Sequence, residues 1–170
     1  SRVVVVVGHG GELIEEHLAG RAEIVWQREQ LGTGHAVLAA GPAFDGYDGN
    51  ILIVPADVPL LTSESLQQLV EEQSGSASDA TILSMCVDDP TDYGRVVRDS
   101  KGNVAAIVEH CDATEEIRAV REVNTGVFCF DSRTLFNALP RISTDNKQGE
   151  YYLTDVIAIM ISQGLSVRAV

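Results

Sequence analysis

Cationic side chains are scarce in this 170-residue chain: twelve Lys and Arg stand against 25 Asp and Glu, for a formal net charge of −13. Only two of the twelve are lysines, Lys101 and Lys147. A phosphate backbone is gripped by clustered Lys and Arg, so nucleic acid is excluded as a partner. Long apolar runs are also missing. None approaches the roughly 20 residues that cross a bilayer, and the run at 3–7 stops at Gly8, too short for a secretory leader. The expectation is a soluble, cytoplasmic chain with no membrane partner. Cysteine is sparse: Cys86, Cys111 and Cys129 form no C-x-x-C pair, and an odd count argues against a disulfide framework. Cys86 and Cys129 sit in apolar runs and are expected to be small buried hydrophobes. Cys111 beside His110 lacks the further ligands a zinc ion needs. Ser63 and Ser143 have no His-Asp partner pattern, which disfavours serine hydrolysis. Gly8-His9-Gly10-Gly11 is followed by no Lys-Ser/Thr and is not a P-loop.

What remains is an ordinary globular composition, 45% apolar and 22% charged, long enough for one domain with a sizeable core. The β-branched run at 3–7 predicts a strand buried on both faces, followed by a short helix over 12–18 and a strand over 23–27. Gly32-Thr33-Gly34 leads into a helix over 35–40, and 51–54 is a further buried strand closed by Pro55. Ser63 starts a helix through 72 with Leu66, Leu69 and Val70 on its apolar face, and small polar residues at 74–78 predict a loop. Later come a strand over 81–87, a hairpin of 95–98 with 104–108, and a loosely helical 112–121. A strand over 123–130, helices over 132–139 and 153–162, and a last strand over 165–170 complete the chain. Alternating β and α signals predict an α/β, Rossmann-like mixed, mostly parallel sheet with helices on both faces. The antiparallel insertion after Asp92 fits a substrate-binding lobe.

Three groups of residues invite chemistry. Asp57 follows the strand at 51–54, at the carboxyl end where open α/β sheets place ligands. A carboxylate there either holds a hard cation such as Mg²⁺ or caps the turn at 59–61. Gln27 and the Gly32-Thr33-Gly34 turn form the second group. Glycines before a helix either let backbone amides approach a ligand or simply make a tight strand-to-helix turn, with His35 capping or packing. Gln27 offers both donor and acceptor, as an imide-bearing base requires. The third group is Gly94, Glu109, Asn124 and Thr154. Glu109 ends an apolar strand and points either into a cleft or to solvent, and Tyr152 serves either the site or the core.

Read in order, Gln30-Leu31-Gly32-Thr33-Gly34-His35-Ala36, Asp57-Val58-Pro59-Leu60, Tyr93-Gly94-Arg95, Val108-Glu109-His110, Asn124-Thr125-Gly126 and Gly149-Glu150-Tyr151-Tyr152-Leu153-Thr154-Asp155 form a series. Together they resemble the uridylyltransferase domain of the bacterial bifunctional GlmU family, which makes UDP-N-acetylglucosamine. The resemblance covers essentially all 170 residues and implies the nucleotide-diphospho-sugar transferase fold, with the antiparallel insertion as a small sugar-binding lobe. It implies that UTP and N-acetylglucosamine 1-phosphate are the substrates and Mg²⁺ the cofactor. By this resemblance Asp57 matches the catalytic metal ligand, and Gln27, Gly32 and Thr33 match the uracil-recognising positions. Gly94, Glu109, Asn124, Tyr152 and Thr154 match the N-acetylglucosamine-1-phosphate site.

The resemblance also sets expectations about extent. The family's glycine-rich phosphate loop, with its Arg and Lys, would fall before Ser1, so residues 1–170 are expected to be a partial nucleotidyltransferase domain without its first βα unit. Its second metal ligand, an asparagine, would fall after Val170. The 170 residues alone are therefore expected to bind sugar phosphate poorly and to turn over little. The family's full-length protein carries an acetyltransferase domain, a left-handed β-helix, and forms homotrimers for cell-wall precursor synthesis. One departure stands out: the family places Tyr-Gly ahead of the metal-binding Asp, where this chain has Pro55-Ala56. Two alternatives remain beside this reading. One is another sugar-nucleotide pyrophosphorylase, such as one acting on glucose 1-phosphate with a thymidylyl donor; the other is a catalytically dead sugar-nucleotide-binding module.

Overall fold

The longest strand, Glu122–Asp131, is the axis of the molecule because its apolar half is buried on both faces. Successive side chains of a strand point to opposite faces. Phe128 and Phe130 stack at 5.5 Å within one core, while Val127 and Cys129 enter a second, smaller core with Leu69. Such a strand needs helices on both sides, and the sequence supplies them.

The computed structural model describes residues 2–170. In chain order it contains β1 (Val4–Val7), α1 (Gly11–Leu18), β2 (Glu23–Trp26), α2 (Thr33–Ala40), β3 (Asn50–Ile53), α3 (Ser63–Ser76) and β4 (Ala80–Cys86). There follow β5 (Arg95–Arg98), β6 (Val104–Val108), α4 (Glu115–Arg118), β7 (Glu122–Asp131), α5 (Ser132–Ala138), α6 (Thr154–Ser162) and β8 (Val167–Ala169). Short 3₁₀ turns lie at Gly41–Phe44 and Leu139–Arg141. The expected mixed α/β architecture is present. Parallel pairing joins β1 to β2 and β4 to β8, whereas β7 runs antiparallel to β3, β4 and β5. The expected hairpin is the antiparallel pair β5–β6.

Local sequence explains the helix ends. Thr62 caps α3 by accepting from Ser65 N at 3.2 Å, and Asp131 caps α5 by accepting from Thr134 N at 3.0 Å. Leu135 in α5 and Val156, Ile157 and Met160 in α6 cover the Phe128–Phe130 face. Gln73 is buried but satisfied: its amide donates to Ser78 O at 2.6 Å and accepts from Thr81 Oγ1 at 2.6 Å.

Three local expectations are corrected. The segment 74–78 is not all loop, because α3 continues to Ser76. Ser74 Oγ and Ser76 Oγ donate back to Val70 O at 2.8 Å and Glu72 O at 2.5 Å, so these small polar residues stay helical. The helical part of 112–121 shrinks to the single turn Glu115–Arg118. The run at 3–7 is only partly buried, with Val7 the one fully buried member, since among the described residues β1 pairs with β2 alone.

No helix among the described residues is long and apolar enough to cross a membrane.

Candidate active site

The sugar-side candidates converge where β5, β6, β7 and α6 meet. Thr154, the first residue of α6, donates through Oγ1 to Glu109 Oε1 at 2.9 Å, just past the end of β6. Gly94 packs under the same carboxylate, so close that a Cβ there would stand 3.1 Å from Glu109 Oε2. Asn124 N donates to Gly94 O at 2.8 Å, which ties β7 to the start of β5. Asn124 Oδ1 accepts from Gly126 N at 3.0 Å, and Thr125 Oγ1 donates to Leu83 O at 2.7 Å. This Asn-Thr-Gly kink lies opposite the register shift between Ile82 and Ser84. Gly126 takes φ +79°, and a Cβ on it would come within 2.9 Å of Pro55 Cγ.

A cavity of about 240 Å³ opens beside this cluster, lined by Glu109, Asp112, Asn146, Tyr152, Thr154 and Asp155 among others. That is below the ~300–1,000 Å³ of drug-sized ligand sites and suits a single sugar unit. Its wall is acidic. Burial raises the Asp155 carboxyl above the usual carboxylate range, and the neighbouring Glu109 and Asp112 add to the rise. Burial, then Asp112 and Glu109, push the Tyr152 phenol up to about 12, so it remains a proton donor at neutral pH. Tyr152 Oη donates to Gln148 Oε1 at 2.6 Å. Near this phenol, Asp112 Oδ2 is buried without a hydrogen-bond partner among the described residues. A larger groove of about 420 Å³ lies between the 3₁₀ turn Gly41–Phe44 and α5, lined by Phe44, Tyr47 and Phe136. It contains none of the candidate residues, so the smaller cavity is the candidate site.

The base-side candidates form a second group. Gln27, just past β2, donates from Nε2 to Gly32 O at 3.0 Å and lies 2.9 Å from His35 Nδ1. With Nε2 so assigned, both amide hydrogens face the protein and Oε1 is left as an acceptor. Thr33 Oγ1 accepts from Leu153 N at 3.3 Å. Tyr152 itself is 8% exposed, so it both fills the core and lines the cavity.

Asp57 stands apart from both groups. It is exposed in the turn after β3, and among the described residues its carboxylate has neither a hydrogen bond nor an ion pair. The alternative in which it caps the turn at 59–61 is not met; the nearby cap is Thr62, on α3. What connects Asp57 to the sugar side is the packing of Pro55 on Gly126, two residues from each group. Among the described residues no three His, Cys, Asp or Glu side chains gather at a metal-sized site. A free carboxylate nevertheless suits Mg²⁺, which commonly takes one or two carboxylates and completes its shell with phosphate oxygens and water.

Asp112, Asp155, Asn146 and Gln148 were not anticipated as site residues. Asp155 directly follows Thr154 and Asp112 lies three residues after Glu109, so adjacency to the motifs was the available signal. Asn146 and Gln148 sit in a polar loop without periodicity and gave none.

Comparison with known proteins adds three findings. The family model for nucleotidyl transferases matches residues 2–170. The chain is 51% identical over 160 residues to the bifunctional protein GlmU of Listeria welshimeri, covering 94% of this chain and 35% of that protein. It is 48% identical over 169 residues to the proteins of the same name from Enterococcus faecalis and a Geobacillus species, covering 99% of this chain and 37% of each. The chain thus spans little more than a third of the length of these relatives. Among solved structures, UDP-glucose pyrophosphorylase complexed with UDP-glucose superposes with a TM-score of 0.71 over 95% of this chain and 70% of the other, at 16% identity. That likeness concerns the fold.

Proposed function

Because this chain belongs to the nucleotidyl transferase family, we propose that it carries the uridylyl-transfer site of an enzyme converting UTP and N-acetylglucosamine 1-phosphate into UDP-N-acetylglucosamine and pyrophosphate. The observation that carries the reading is the joined set Gly94, Glu109, Asn124 and Thr154 beside a sugar-sized cavity, bonded through Leu153 to the turn that holds Gln27.

In this reading the phosphate oxygen of the sugar phosphate attacks the α-phosphorus of UTP in line, a P–O bond forms, and the bond to pyrophosphate breaks. The attacking oxygen is already anionic, so no general base is required. Positioning and charge neutralisation dominate such a transfer. The free Oε1 of Gln27 accepts the imide N–H of uracil. Glu109 accepts from sugar hydroxyls while Thr154 holds it in place, and the unpartnered Asp112 Oδ2 offers a further acceptor. Asp57 would hold Mg²⁺, which would supply charge neutralisation at the phosphates. The acidic cavity around Glu109, Asp112 and Asp155 would otherwise repel a phosphate group, so the sugar ring occupies the cavity and the phosphate points away from it. The whole protein is proposed to be a cytoplasmic homotrimer serving cell-wall precursor synthesis.

In an assay of the intact protein, product chromatography should detect UDP-N-acetylglucosamine formed from UTP, N-acetylglucosamine 1-phosphate and Mg²⁺. Asp57→Asn should reduce kcat by about a hundredfold or more, since each ~1.4 kcal/mol of lost transition-state stabilisation is tenfold in rate. Higher kcat/KM with dTTP and glucose 1-phosphate would replace this reading with the thymidylyl one. Binding of sugar nucleotide without any turnover would point to a dead module.

A further inference from the structure

The base-side turn and the sugar-side cluster are not independent. Tyr151 N donates to Leu31 O at 2.8 Å, and Gly34 N donates to Tyr151 O at 2.8 Å. A Cβ on Gly32 would stand 2.7 Å from Tyr151 O, and one on Gly34 would stand 2.9 Å from the same atom. The glycines are therefore needed where the chain lies against itself. Thr33 Oγ1 lies at the end of this contact and accepts from Leu153 N at 3.3 Å. The next residue, Thr154, donates to Glu109 Oε1 at 2.9 Å. On the other side, Gln27 Nε2 donates to Gly32 O at 3.0 Å. A continuous path thus runs from Gln27 through Gly32, Thr33, Leu153 and Thr154 to Glu109.

We propose that Thr33 is a positioning residue for the sugar side: its hydroxyl fixes Leu153, so that Thr154 meets Glu109. The identity of the two ligands rests on the uridylyl-transfer reading; the path itself does not. Leu153 and Thr154 are both buried, with 4% and 5% exposure, while Thr33 lies at the surface, and among the described residues its hydroxyl is the hydrogen-bond acceptor of the Leu153 amide. A displaced Leu153 amide carries Thr154 with it, because the two are consecutive at the start of α6.

The test uses the intact protein with Thr33→Val, which keeps the branched shape, and Thr33→Ser, which keeps the hydroxyl. By amide hydrogen exchange, Leu153 N–H should exchange faster in T33V than in wild type and return toward wild type in T33S. In kinetics, T33V should raise KM for N-acetylglucosamine 1-phosphate by about five- to tenfold, the worth of one hydrogen bond. KM for UTP should change less, and T33S should restore both. Unchanged Leu153 exchange in T33V overturns the proposal. So does a T33V enzyme whose KM rises only for UTP, or which begins to accept CTP with sugar-phosphate KM intact, because Thr33 would then read the base. If wild type makes no UDP-N-acetylglucosamine, the uridylyl-transfer reading fails, while the Leu153 exchange still decides the positioning role.

Discussion

Replacing Gly32 by alanine separates two explanations of the Gly-Thr-Gly turn. Gly32 has φ +104° and ψ 175°, where a Cβ is strained, at about 1–3 kcal/mol. The new Cβ would also sit 2.7 Å from Tyr151 O, 3.0 Å from Glu150 Cβ and 3.1 Å from Tyr151 N. Tyr151 cannot retreat without breaking its bonds to Leu31 O and Gly34 N, both 2.8 Å, so the crowding adds about 1–3 kcal/mol. The sum is roughly 2–6 kcal/mol. At ~2–4 °C per kcal/mol for a domain of ~150–250 residues, Tm should fall by at least roughly 4 °C. The assay is thermal unfolding without any nucleotide, compared with Gly46→Ala. Gly46 has φ +72° but no atom within 4 Å of its Cβ, so it suffers only the left-handed backbone term, about 1–2 kcal/mol. A G32A protein with wild-type Tm and impaired UTP binding would refute the reasoning, since the glycine would then serve ligand approach alone.

Other outcomes follow from the titrating groups. The Arg98 guanidinium, bonded to Glu122 at 2.8 and 2.6 Å, holds the Glu122 carboxyl below the usual range, with Ser84 assisting at 2.8 Å. The depressed value means stability present at neutral pH and lost as pH falls through it. Glu122→Gln should therefore be less stable than wild type at pH 7 by about 1 kcal/mol, for a partly exposed pair, and the two should converge in strong acid. Asp155 is shifted the opposite way, so its ionisation opposes folding above its raised value. Asp155→Asn should unfold at a higher temperature than wild type at pH 7, and the advantage should vanish as pH falls below the ordinary Asp range. Burial pushes the Cys129 thiol up to about 11, whereas Cys111 is exposed and so, against expectation, is Cys86, the last residue of β4, where the strand leaves the core. A thiol reagent at pH 8 should label two cysteines in the native protein and the third only after denaturation; three fast equivalents would contradict the packing.

The sequence revealed strands and helices wherever apolar periodicity was strong, as in β7, α5 and α6. It misjudged 74–78 because serine reads as loop, yet the Ser74 and Ser76 hydroxyls bond to their own helix. It overrated the burial of 3–7 because composition alone does not report how many strands flank β1. The candidate residues stood out through motif resemblance, but their partners in the fold did not. Nothing in Gly32-Thr33-Gly34 shows that Tyr151 lies against it, since contacts between residues more than 100 positions apart depend on the whole fold. Nor does Asn124-Thr125-Gly126 announce that Gly126 makes room for Pro55. That packing also gives the departure at Pro55-Ala56 a physical setting: the proline ring occupies the space a Cβ on Gly126 would need.

The most direct test asks whether Gln27 and Glu109 serve one ligand. UDP-N-acetylglucosamine should be titrated calorimetrically into the intact wild-type protein, Gln27→Ala and Glu109→Ala, with UDP as the comparison. Both variants should bind UDP-N-acetylglucosamine more weakly, each by about tenfold, while only Gln27→Ala weakens UDP. Wild-type affinity of Glu109→Ala for UDP-N-acetylglucosamine would contradict the account, because the cavity beside Thr154 would then not hold the sugar.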